Sequence, residues 1–118
     1  MRILLVEDEA SVLLALSLLL EQEGYSVVTA SNGSEALQVL AHEHADLVIL
    51  DLWMPVMNGW EFLQRLRERE NPLRDLPVIA LSADVNAARH DLPVQIFLSK
   101  PMDIERLLDS VRYFLQAA

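Results

Sequence analysis

The sequence predicts an α/β fold built on a doubly wound, five-stranded parallel sheet. Two observations carry this reading. Short apolar runs alternate with helical patterns five times across 118 residues, and strict β-α alternation in a chain of this length implies parallel strands with helices on both faces. The apolar runs also end in reactive groups. Arg2-Ile3-Leu4-Leu5-Val6 leads into Glu7-Asp8, Leu47-Val48-Ile49-Leu50 into Asp51, and Val94-Gln95-Ile96-Phe97-Leu98 into Ser99-Lys100-Pro101. Open α/β sheets place their sites at these carboxyl ends.

The elements follow in order. The first strand reads over 2–6. The first helix, 9–23, turns Val12, Ala15, Leu16 and Leu19 toward the sheet with Leu20 beside them. That leaves Leu13, Leu14 and Leu18 nearer to solvent, with Leu14 and Leu18 four apart on one helical face. Gly24 closes this helix as its C′ residue. A strand over 26–29 and a helix over 33–42 follow. The strand over 47–51 is partly β-branched and bounded by breakers, so it reads as buried on both faces. A Pro/Gly loop, Leu52-Trp53-Met54-Pro55-Val56-Met57-Asn58-Gly59, comes next. Asn58 caps a third helix over 59–69, with Glu61 as a capping-box partner, and Asn71-Pro72 ends it. A strand over 77–82, a fourth helix over 84–90 and a strand over 94–98 complete the sheet. The last helix, 103–116, carries Ile104, Leu107, Leu108, Val111, Phe114 and Leu115 at helical spacing.

Composition describes one domain over 1–118. A chain of this size buries about two thirds of the surface its unfolded form exposes. Apolar residues are 53% and charged residues 23%, which fits a packed globular unit. No cysteine is present, which excludes disulfides and thiolate zinc sites and agrees with a reducing cytoplasm. The net charge of −9 opposes direct binding to a nucleic acid backbone and favours a cation or a basic partner surface. The leucine-rich stretch from Val12 to Leu20 is too short to span a bilayer. Met1 runs straight into a strand, so no signal peptide is expected.

With the third strand beside the first, Glu7, Asp8 and Asp51 line one crevice at a switch point. Carboxylates ~5 Å apart repel by roughly 3 kcal/mol per pair at an effective dielectric near 20, so such a site takes up protons or binds a cation. With only oxygen donors and no His or Cys, the cation is hard: Mg2+, or Mn2+ in its place. A backbone carbonyl in the following loop, that of Trp53, is a further donor. Asp51 is also a nucleophile able to form an acyl phosphate. The charge spread over the transferring group then calls for a cationic donor. Lys100 suits that role and is the single lysine among nine basic residues. The Ser82 hydroxyl, ending the fourth strand, can donate to a phosphoryl oxygen or cap the next helix.

In these residues the chain resembles the receiver domain of bacterial two-component response regulators. The acid pair Glu7-Asp8, the acceptor-like Asp51 with its Met54-Pro55…Asn58-Gly59 loop, Ser82-Ala83 and Lys100-Pro101 match in order over the whole chain. The resemblance implies a flavodoxin-like sheet of order 2-1-3-4-5. It implies Mg2+ held by Asp8, Asp51 and the Trp53 carbonyl with Glu7 assisting, and phosphorylation of Asp51 by a histidine kinase or histidine phosphotransfer protein. Lys100 would bind the phosphoryl group, next to a cis Lys100-Pro101 bond. Ser82 would swing toward it and Phe97, the switch aromatic, would take the vacated space. A downstream output protein or domain, or a second copy in a homodimer, would read the change. The family implies a phosphoacceptor signalling domain, not an enzyme, acting in the cytoplasm without binding membrane or DNA.

Some features depart from that pattern or extend it. Between Ser82 and Lys100 the chain is about four residues shorter than the usual receiver, roughly one helical turn, and Asp91-Leu92-Pro93 leads into the last strand. The fourth helix is therefore expected to be short or irregular, with a modified output face. Leu13, Leu14 and Leu18 read either as core margin or as an apolar docking patch for the phosphodonor. Asp84 reads either as a helix N-terminal acid or as a group that tunes access of the hydrolytic water to the acyl phosphate, and His42, His44 and His90 have no metal-like spacing. A dehalogenase-type phosphatase would need a second Asp where Trp53 stands. A flavin module would need a Ser/Thr/Gly-rich phosphate loop where Glu7-Asp8 stands. The alternative within the family is a degenerate receiver serving as a constitutive interaction module.

Overall fold

The computed structural model describes residues 1–52, 57–82, 94–99 and 103–116. Along the chain lie β1 (Arg2–Val6), α1 (Ala10–Gln22), β2 (Ser26–Ala30), α2 (Gly33–His42), β3 (Leu47–Asp51), α3 (Gly59–Leu66), β4 (Val78–Ser82), β5 (Ile96–Ser99) and α4 (Ile104–Gln116). The strands form one parallel sheet of order β2-β1-β3-β4-β5, the doubly wound, flavodoxin-like arrangement expected. The region read as a helix over 84–90, with the shortening around it, lies outside the described residues.

Alternation along the strands divides the core in two. Val48 and Leu50 of β3 pack with Val78 and Ala80 of β4 beneath α2 and α3, where Phe62, Leu63 and Leu66 are buried. Leu47 and Ile49 pack with Ile79 and Leu81 beneath α1 and α4, against Leu16, Leu20, Leu107 and Val111. All five β3 residues are buried, as a central parallel strand covered on both faces requires.

Two boundaries differ from the sequence reading by more than one residue, and one helix is rotated, each for a local reason. The helix read over 59–69 stops at Leu66, because its late carbonyl at Arg65 is taken by Asn71 Nδ2 at 3.2 Å. Arg67 then donates from Nη1 to the carbonyls of Arg74 and Leu76, both at 2.7 Å. Burial lowers the Arg67 pKa, an effect that the nearby Asp75 opposes. The last strand begins at Ile96, not at 94. Gln95 precedes it and caps the edge of β4 twice: its N–H donates to Val78 O at 3.0 Å, and its Oε1 accepts from Val78 N at 2.7 Å. In α1 the inward stripe is rotated: Leu16, Ser17 and Leu20 are buried, Leu13 is partly buried against the core, and Ala15 is exposed. Ser17 looks polar in sequence yet faces inward, and its Oγ is buried without a hydrogen-bond partner among the described residues.

The expected stops are present. Gly24 sits at φ +95°, in the left-handed region that glycine adopts without strain. Its N–H donates to Glu21 O at 3.0 Å, and the N–H of Tyr25 to Leu20 O at 3.3 Å, the two bonds of a Schellman motif. Asn58 Oδ1 accepts from Glu61 N at 3.0 Å and Asn32 Oδ1 from Glu35 N at 2.8 Å, capping α3 and α2.

At the amino ends of the strands, Asp46 closes the sheet. Its Oδ2 accepts from Arg2 N at 2.8 Å, its own N–H donates to Arg2 O at 2.8 Å, and its Oδ1 meets His44 Nε2 at 2.7 Å. The Arg2 amide holds the Asp46 carboxyl below the usual carboxylate range; burial opposes this and His44 adds to it. A carboxyl depressed on folding contributes stability above its unfolded pKa, and that contribution is lost as pH falls through the folded value. Asp46→Asn is therefore expected to cost about 1 kcal/mol at neutral pH in urea unfolding. The difference from wild type should shrink below about pH 4; a pH-independent difference would contradict this.

Candidate functional site

The site is assembled by strand register. Val6 lies opposite Leu50 and Asp51 opposite Leu81. Glu7, the next residue after β1, therefore comes level with the end of β3. Its N–H continues the sheet ladder by donating to Ala30 O at 3.0 Å. Its Oε1 accepts from Glu9 N at 3.2 Å, which fixes the carboxylate at the start of the β1-α1 turn. Asp8 follows on the exposed side of that turn.

One carboxylate oxygen from each of Glu7, Asp8 and Asp51 lies within 4.8 Å of the others. Glu7 is 1% exposed and Asp51 5% exposed. At this spacing each pair repels by about 1 kcal/mol at the dielectric of water and about 3 kcal/mol at an effective dielectric near 20. Burial of two of the three places the cluster toward the larger figure and adds a desolvation cost. Convergent hard oxygen donors with one open, exposed member fit a divalent cation that keeps part of its water shell.

The other residues singled out in the sequence divide into those the structure places and those it does not describe. Ser82 ends β4, is fully buried and pairs in register with Ser99. Phe97 pairs with Ala80 and is partly buried against the α2-α3 side of the core. Ser82 follows Ala80 by two residues, so Ser82 and Phe97 belong to the same face of the sheet. Trp53, Lys100, Pro101, Asp84 and His90 lie outside the described residues. On α1, Leu14 and Leu18 are 62% and 54% exposed. Leu13 is drawn into the core margin, so the exposed apolar pair is Leu14 and Leu18 without it.

Two glycines hold the loop that follows Asp51, and sequence reasoning passes over the first. Gly33 N donates to Met57 O at 2.9 Å, and Gly59 N donates to Leu52 O at 3.0 Å. The signal is a repeated local pattern, Asn32-Gly33-Ser34-Glu35 and Asn58-Gly59-Trp60-Glu61, which puts a glycine directly after each capping asparagine.

The family model described as "Response regulator receiver domain" matches residues 3–112. The chain is 36% identical over 115 residues to the CAI-1 autoinducer sensor kinase/phosphatase CqsS of Vibrio cholerae, covering 93% of this chain and 17% of that protein. It is 31% identical to sporulation initiation phosphotransferase F of Bacillus subtilis, covering 97% of this chain and 93% of that one. It thus spans a small part of the kinase and nearly all of the phosphotransferase. Among solved structures, the response regulator TrrA of Thermotoga maritima in complex with Mg2+-BeF superposes with a TM-score of 0.84 at 34% identity, over 96% of this chain and 97% of that one.

Because the acids repel, removing one should help the metal-free protein. Asp8→Asn is expected to raise the free energy of unfolding by about 1 kcal/mol without divalent ions, and to lose most of the stabilisation that millimolar Mg2+ gives wild type. Calorimetry with and without Mg2+ checks both signs. Equal Mg2+ stabilisation of the two proteins would remove Asp8 from the site.

Proposed function

The chain belongs to the response regulator receiver domain family, and from that premise we propose that Asp51 accepts a phosphoryl group in a Mg2+-dependent transfer from a histidine kinase or histidine phosphotransfer protein. Membership makes it a phosphoacceptor module of two-component signalling rather than an enzyme. The observation that carries the finer reading is the convergence of Glu7, Asp8 and Asp51 at the carboxyl ends of β1 and β3. That cluster supports an active phosphoacceptor over a constitutive interaction module.

An oxygen of the Asp51 carboxylate attacks phosphorus as the phosphorus–nitrogen bond to the donor imidazole breaks, and the leaving electron pair stays on the ring nitrogen. Burial of Asp51 limits water at the nucleophile and strengthens nearby electrostatic interactions. Glu7, Asp8, Asp51 and the Trp53 carbonyl are the groups assigned to hold Mg2+, which supplies positive charge to neutralise phosphoryl oxygens when bound. Lys100 is assigned the second cationic contact, as its place after Ser99 in the sequence suggests. The relatives named as a sensor kinase and a phosphotransferase support phosphohistidine-bearing partners.

The switch is assigned to Ser82 and Phe97. Their shared sheet face supports a coupling in which the Ser82 hydroxyl turns toward the acyl phosphate and the Phe97 ring follows into the space released. A changed surface beside β5 and α4 would then bind an output protein or domain, or a second copy. We assign the chain as one receiver unit over 1–118, working in the cytoplasm. No helix among the described residues is long and apolar enough to cross a membrane.

Incubation with acetyl phosphate and Mg2+ is expected to add the mass of one phosphoryl group. Chelation of the metal or Asp51→Ala should abolish that gain. Labelling of Asp51→Ala at the wild-type level would assign the acceptor elsewhere.

The exposed Leu14–Leu18 pair supports docking of the protein donor beside the site, without Leu13. Glu at both positions is expected to slow phosphotransfer from a phosphohistidine protein by roughly tenfold or more, since desolvated apolar anchors dominate such contacts. Labelling by acetyl phosphate should be spared. Equal loss with both donors would count against docking.

A further inference from the structure

We propose that Gly33, the first residue of α2, is a positioning residue for the loop that follows the phosphoacceptor, and that it acts through Met57. The inference rests on the assignment of Asp51 above and extends it to a helix that contributes no group to the acid cluster.

The argument begins with why glycine stands at this position. Gly24 is needed for conformation: its φ is +95° and an added Cβ would meet nothing within 4 Å. Gly33 is the reverse case. It opens a regular helix, and its φ lies outside the left-handed region. Alanine would suit that backbone and would be the better helix former. What alanine lacks is room. A Cβ on Gly33 would lie 2.8 Å from Met57 Cγ, 2.8 Å from Met57 O and 3.1 Å from Phe62 Cβ. The missing side chain brings the N-terminus of α2 close enough for Gly33 N to donate to Met57 O at 2.9 Å.

Met57 matters because of what lies before it. The segment between Leu52 and Met57 joins Asp51 to α3, and it is gripped at both described ends in the same manner. At its start, Gly59 N donates to Leu52 O at 3.0 Å. A Cβ there would lie 2.7 Å from Leu52 Cα and 3.1 Å from Asp51 O. At its end, Gly33 performs the equivalent contact from another helix. Phe62, the third neighbour of Gly33, is fully buried in α3, so the strain of an added methyl cannot be relieved by moving α3 away. The strain falls on Met57 and the loop. The first grip reaches the backbone that carries the nucleophile, and the second holds Met57, the described far end of the segment.

The test compares wild type with Gly33→Ala, using acetyl phosphate as the donor and mass spectrometry as the readout, at varied Mg2+. A folded Gly33→Ala protein is expected to label roughly tenfold or more slowly at saturating Mg2+, because small misplacements of reacting groups cost rate steeply. Its Mg2+ half-saturation should also rise. Adding Met57→Ala in the same chain removes the Cγ overlap and should recover part of the rate, which a general loss of stability would not predict. Wild-type rate and Mg2+ half-saturation in folded Gly33→Ala would overturn the proposal. Should that variant fail to fold, hydrogen exchange at the Gly33 amide of wild type provides the second measurement. It is expected to slow several-fold when Mg2+ and beryllofluoride are added, and an unchanged rate would equally overturn the proposal. The two layers of inference separate cleanly: labelled wild type with an indifferent Gly33→Ala refutes only the role of Gly33, whereas unlabelled wild type refutes the phosphoacceptor assignment and this proposal with it.

Discussion

Three carboxylates of like charge share a space less than 5 Å across, two of them inside the protein, and the rest of the structure is arranged to keep them there. No local segment could do this. Glu7 and Asp8 are more than forty residues from Asp51, and only the parallel pairing of β1 with β3 brings them level. The apolar strands on which these acids end are what the fold stabilises: all of β3 is buried, and the residues on its two faces anchor separate halves of the core. Burying a Val, Leu or Ile side chain contributes about 1.5–3 kcal/mol, so several such residues comfortably offset the repulsion of the acids. The core tolerates an unfavourable cluster whose convergent oxygens fit a divalent cation.

The helices meet the sheet in ways that serve this end. α2 and α3 both begin with a capping asparagine followed by glycine. The caps satisfy amides that the helix cannot pair internally. The glycines let those helix starts press against the loop after Asp51. Capping and close approach are thus combined in adjacent residues. At the opposite end of the sheet, Asp46, Gln95 and Arg67 satisfy backbone groups where strands begin. The amino ends are closed by hydrogen bonds, while the carboxyl ends hold charge, in keeping with the division between stability and function in open α/β sheets.

Membership of the receiver family and the geometry of the acids support each other from different directions. The family match covers residues 3–112 and depends on residues spread through the chain. The cluster depends on distances among three of them. The exposed leucines on α1 and the shared sheet face of Ser82 and Phe97 lie outside that cluster, and it is on them that the proposed docking and switching rest.

Much of this was legible in the sequence because the signals are short in range. Strand alternation, the Gly24 stop, the Asn58 cap and the acids at strand ends each occupy a few consecutive residues, and their physics acts over that span. The parallel sheet and the convergence of Glu7, Asp8 and Asp51 followed from them by topology. Other features required the tertiary structure. Ser17 faces inward because packing against the sheet, not polarity, sets the rotation of α1. The helix beginning at Gly59 stops at Leu66 because Asn71 returns to its end. Gln95 caps the start of β4 because its side-chain oxygen reaches the Val78 amide from the segment just before β5. Gly33 resembles an ordinary helix start until Met57 is found against it, for a missing side chain leaves no trace in sequence beyond the glycine itself. The chain's own pattern determined which groups would be available and which strand ends would carry them; the distances at which those groups meet were decided by close packing between segments remote in sequence, where a single methyl changes what fits.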